Sequence, residues 1–166
     1  LEEKLHEMHQ AGGEDDLVTS YEIIAEDLEL GANCISSYKA VLPILYYVRR
    51  HRDVHGNGEP IESSDVRQAM EYWLTSVTVH RLMSQLNSNR LVQDLCESID
   101  EEHPEFPVLT LFDEYEAANP NLTTEINRTQ LQNLVGSVSS TSSPVTHHLL
   151  TKLYDDGRVS GARTEL

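Results

Sequence analysis

The sequence predicts an all-α fold, an irregular bundle of about six to eight helices. Apolar residues recur at spacings of three and four in successive segments. No segment sustains a two-residue alternation. Thr75 to Val79 (TSVTV) alternates briefly, but inside a stronger helical stripe. The stripes are divided by Gly, Pro, Asn and Ser breaks, and no repeat of 20 to 50 residues is visible.

Leu1, Leu5 and Met8 lie at helical spacing from the first residue, and Gly12-Gly13 closes that segment. A pattern that begins in its middle reads as a fragment of a longer protein, with residues 1–166 forming a single helical domain. Asp15 or Asp16 caps a second helix through Leu17, Tyr21, Ile24, Ala25 and Leu28, closed by Gly31. A third helix carries Tyr38, Val41, Leu42, Leu45 and Tyr46 and extends to Arg52. Pro43 interrupts that stripe, so the regular helix begins near Val41 or kinks there.

Asp53 to Ile61 (DVHGNGEPI) reads as a loop. Ser63 or Ser64 caps the longest helix, whose stripe is Val66, Ala69, Met70, Trp73, Leu74 and Val77, continuing to Leu82. After the break at Asn87-Ser88-Asn89, Leu91, Val92, Leu95, Cys96 and Ile99 form another stripe. Glu105 to Pro107 is a proline-bounded break, and Leu109 to Ala118 a short helix stopped by Asn119-Pro120. A helix opens at Thr124 or Asn127 and ends at Gly136, and Ser137 to Ser143 is a loop. Ser143-Pro144 then caps a last helix with Val145, Leu149, Leu150, Leu153 and Tyr154.

Composition narrows the function classes. Twelve Lys plus Arg against 28 Asp plus Glu give a formal charge of −16. Such a surface repels phosphate, which disfavours a broad nucleic-acid-coating role or binding to an anionic membrane. Residues 1–83 carry 7 basic and 15 acidic side chains, and residues 84–166 carry 5 and 13, so each half holds −8. An acidic tail would load one end. The even spread, with three Lys against nine Arg, resembles proteins of salt-loving microbes. The longest apolar run, Ala40 to Val48, is nine residues, against the roughly 20 that span a membrane. No signal peptide is visible, so a cytoplasmic location is expected. Cys34 and Cys96 read as small core residues.

Few residues are spaced for chemistry. His51 and His55 have the i, i+4 spacing of two helical ligands, but His55 falls in the expected loop and no third ligand is fixed by spacing. His6, His9, His147 and His148 suggest no site, and no metal, cofactor or catalytic residue is expected. The turn His55-Gly56-Asn57-Gly58-Glu59 lacks the lysine of a phosphate loop. Two groups of cations remain as candidate phosphate or partner contacts. Arg49, Arg50 and Arg52 form a local positive patch, and Arg81 and Arg90 flank the Ser84–Asn89 junction. The alternative for both is ion pairing with nearby carboxylates, with the first group also satisfying a helix C-terminus.

Leu42-Pro43-Ile44-Leu45-Tyr46-Tyr47 and the later Trp73-Leu74-Thr75-Ser76, Arg81, Ser84 and Leu91 with Asp94-Leu95 carry a resemblance. They resemble the helical second half of a large prokaryotic family that begins with a ParB-like domain. That family often ends in a His-Asn-His nuclease domain and includes the GmrSD-type modification-dependent restriction enzymes. Pro144 to Tyr154 resembles its later helix preceding the nuclease. The usual aromatic after the helix arginine is replaced by Leu82. The family's Asp-Gly-Gln-Gln-Arg motif is absent from this sequence, and so are its nuclease histidines, so neither catalytic constellation carries over. The resemblance implies a non-catalytic helical middle of a restriction or anti-phage protein. Its partners would be the other domains of the same polypeptide, with DNA contacted only through the full-length protein. The alternative is a self-contained helical module for protein–protein interaction or regulation. The oligomeric state stays open.

Overall fold

The computed structural model describes residues 13–56, 59–124 and 143–147. Every regular element among them is helical and none is a strand, as the periodicity predicts. The expected segment around Leu1–Met8, the helix through Asn127 to Gly136 and the last helix beyond His147 lie outside the described residues.

The first helix, α1, spans Gly13–Glu22 and continues into a π turn, Ile23–Asp27. Asp16 lies within α1, buried toward the next helix, and is not its cap. The end also differs from expectation. Glu29 takes a left-handed φ of 54°, and the Leu30 N–H reaches back to the Ile24 carbonyl at 2.9 Å. Gly31, extended at φ −66°, instead opens a 3-10 turn, Ala32–Cys34.

Ser37 caps a second 3-10 turn, Tyr38–Val41, accepting a bond from the Lys39 N–H at 3.3 Å. Helix α2, Leu42–His55, follows at once with Pro43 in its first turn, where a missing N–H costs nothing. This helix outlasts the sequence expectation by three residues, Asp53, Val54 and His55. An Arg49–Asp53 pair at 3.3 Å supports the extra turn, and Gly56 ends it at φ +95°. The Gly56 N–H closes on the Arg52 carbonyl at 2.8 Å.

Helix α3, Ser64–Val79, is capped by Ser63, whose Oγ accepts from the Val66 N–H at 3.4 Å. It stops short of Leu82, because Arg81 turns left-handed at φ 52° and starts the short α4, Leu82–Gln85. The side chain of Asn87 caps α5, Ser88–Glu102, whose buried stripe is the one the sequence shows. Helix α6, Val108–Ala118, buries Val108, Leu111 and Phe112.

Helix α2 is central. It packs against α1 on one side and α5 on another, while α6 packs against α3 and α5. Trp73, fully buried, joins these layers. Its indole N–H donates to the Ala40 carbonyl at 2.7 Å, and its ring stacks on Phe112 at 5.8 Å. The Thr124 carbonyl accepts from Tyr72 and Ser76, tying the chain after α6 back onto α3.

Candidate functional site

The packing of α2 on α5 assembles a site that neither helix holds alone. His51 and His55 lie one turn apart on α2 and therefore face the same way. His103 follows the last residue of α5, its N–H closing on the Ile99 carbonyl at 3.1 Å. The three rings converge. Their centroids are 4.5 Å apart for His51–His55, 5.9 Å for His51–His103 and 5.7 Å for His55–His103. One ligand nitrogen from each ring lies within 4.8 Å of the others.

Tyr47, one turn before His51, forms the inner wall. It packs on His103 at 5.5 Å and edge-on to Phe106 at 5.8 Å, and its hydroxyl donates to the Pro104 carbonyl. That bond fixes the segment carrying His103 against α2. His51 and His103 are half-buried, whereas His55 is exposed, so the cluster opens to solvent on one side.

Burial favours the neutral form of two of the rings, His51 and His103. Burial lowers the His51 pKa below its ordinary value, His55 adds to this and Glu59 opposes it. Burial also lowers that of His103, with further contributions from His51, His55 and Arg50. His51 Nδ1 and His103 Nε2 are both buried without a hydrogen-bond partner. A buried polar atom with no partner costs about 1–3 kcal/mol, so two such atoms in one cluster call for an explanation.

His51 also borders two clefts. One, of about 510 Å³, is lined by carboxylates that include Glu22, Glu26, Asp27 and Glu59. The other, of about 440 Å³, runs past Tyr47, Pro104 and Phe106.

The arginines singled out in the sequence lie in two places. Arg52 makes a paired contact with the buried Asp16, at 2.7 and 2.9 Å, and Arg49 reaches the same carboxylate at 3.5 Å. Burial raises the Asp16 pKa, while the Arg52 and Arg49 charges pull it down. Arg50 faces Asp100 at 3.5 Å, and that carboxylate also accepts from the Tyr46 hydroxyl at 2.6 Å. Arg81 and Arg90 stand at the α3–α5 junction, both exposed, with Arg90 3.6 Å from Asp94. Arg49, Arg50, Arg52 and Arg90 each face a carboxylate.

The sequence signal for the histidine site is the i, i+4 pair. The third ring is 48 residues beyond His55, and only the packing of α2 on α5 brings it in.

Comparison with protein-family models, with curated proteins and with solved structures finds no match for this chain. No helix among the described residues is long and apolar enough to cross a membrane.

Proposed function

We propose that this chain is the non-catalytic helical middle of a GmrSD-like restriction or anti-phage protein. It would pack between a ParB-like nucleotide-handling domain and a His-Asn-His nuclease domain in the cytoplasm. The observation that carries this reading is an apolar strip on α1. Leu17, Val18 and Tyr21 are 56%, 53% and 68% exposed, while Ile23 and Ile24 just beyond are buried in the core. A strip of large apolar side chains on a chain of net charge −16 suits an interdomain face.

The residues behind the resemblance fit the same reading. Ile44, Tyr47, Trp73, Leu74, Leu91 and Leu95 belong to one buried hydrophobic cluster, and Leu45 is buried as well. Arg81 occupies a left-handed break, and the Ser84 hydroxyl bonds to its carbonyl at 2.8 Å. In this arrangement the charge of −16 suits a surface adapted to high salt, and contact with DNA falls to the flanking domains.

Two experiments test the proposal. The reading frame around this segment should encode a ParB-like domain upstream and a nuclease domain downstream; finding neither overturns it. In the full-length protein, Leu17→Glu with Tyr21→Glu should abolish phage restriction while the helical domain keeps its circular dichroism and melting temperature. Unchanged restriction by that double variant would leave the α1 face without the assigned role.

A further inference from the structure

We propose that His51, His55 and His103 form a binding site for one divalent transition-metal ion of the zinc class, with a coordination position left open to solvent. The inference goes beyond the domain role above and does not depend on it.

Three features support it. The first is the donor set: three imidazoles and no thiolate, a combination that suits zinc, copper, nickel or iron and not calcium or magnesium. The second is geometry. A tetrahedral ion with bonds of about 2.0–2.1 Å sets its ligand nitrogens about 3.3 Å apart. The nitrogens here lie within 4.8 Å, so closure needs at most about 1.5 Å, a movement that ring rotation supplies.

The third feature is the pair of unpartnered buried nitrogens on His51 and His103. Ligand binding is a use for such atoms that solvent cannot provide. The surroundings agree with a cation. The neighbouring cleft is rich in carboxylates.

The arrangement also has the pattern of a site with an accessible ion. Three protein ligands leave a fourth position free, and the exposed side of the cluster at His55 places that position toward solvent. A water or an incoming carboxylate would fill it. Because the ligands come from α2 and from the segment after α5, the ion would clamp those two elements together.

The test uses the whole chain, freed of metal by chelation, and titrated with Co²⁺ alone by visible absorption and with Zn²⁺ alone by calorimetry. One ion per chain is expected, with the d–d bands of cobalt held by nitrogen ligands. Zn²⁺ should also raise the melting temperature. His55→Ala and His103→Gln should each weaken binding by about a hundredfold or more and remove the thermal shift. His147→Ala should change neither. His55 is exposed, so its variant keeps the fold and decides the matter even where His103→Gln does not fold. Absence of stoichiometric binding, or binding that survives His55→Ala, overturns the proposal.

Discussion

Replacing Asp16 probes whether the arginine patch is internally satisfied. Asp16 is 1% exposed and accepts two bonds from Arg52, at 2.7 and 2.9 Å, with Arg49 at 3.5 Å. Removing one partner of a buried pair costs about 3–5 kcal/mol, because it strands the other charge. Two facts reduce that figure here. The guanidinium side chains are 15% and 19% exposed and can turn outward, and Arg49 keeps Asp53 at 3.3 Å. Asp16→Asn should therefore destabilise by about 2–3 kcal/mol. The assay is urea unfolding followed by circular dichroism. A cycle with Arg52→Met isolates the pair, and its coupling energy should be about 1.5–3 kcal/mol, as for hydrogen bonds between charged groups. A coupling below about 0.5 kcal/mol would place the pair among surface ion pairs and defeat the claim of a buried, satisfied patch.

Other consequences follow from single residues. Trp73→Phe should cost about 2–4 kcal/mol in urea unfolding, because it opens a gap in the core and leaves the buried Ala40 carbonyl unbonded; a loss under about 1 kcal/mol would contradict that role. Gly56→Ala should cost about 1–2 kcal/mol from backbone strain alone, since φ is +95° and an added methyl meets nothing within 4 Å; unchanged stability would refute this. Tyr115 is raised above its ordinary pKa of 10.0, first by burial and then by its bond and charge contact with Asp94, while Arg90 opposes the shift. The neutral phenol is thus favoured in the folded state, so its contribution is complete below about pH 10 and declines as pH rises further. The slope is at most about 1.4 kcal/mol per pH unit, and Tyr115→Phe should flatten it; an identical alkaline profile for the variant would rule the assignment out.

The sequence rendered the helices well and the site poorly, for physical reasons visible at particular residues. Stripes such as Met70-Trp73-Leu74-Val77 and Leu91-Leu95-Ile99 are local, and burial follows their spacing. Boundaries misled where backbone conformation overrode residue type. Glu29 and Arg81 take left-handed positions more often filled by glycine, while Gly31 stays extended. The run Asp53-Val54-His55 reads as loop because two glycines follow. Only Gly56 acts as the stop, and the Arg49–Asp53 pair holds the last turn. That one-turn difference places His55 above His51. The convergence with His103 was not legible at all, because it depends on which face of α5 meets α2. Asp16 shows the same limit: it reads as a helix cap, and only the α1–α2 contact makes it the partner of two arginines.

Everything proposed for the histidine cluster rests on α2 and α5 delivering three imidazoles to one point. The most direct measurement is a crystal structure grown with Zn²⁺, with anomalous data collected at the zinc edge. A three-imidazole site should give one anomalous peak bonded, at about 2.0–2.1 Å, to a ring nitrogen from each of His51, His55 and His103. A map with no peak between those rings, or with zinc held only by surface carboxylates elsewhere, would rule the site out.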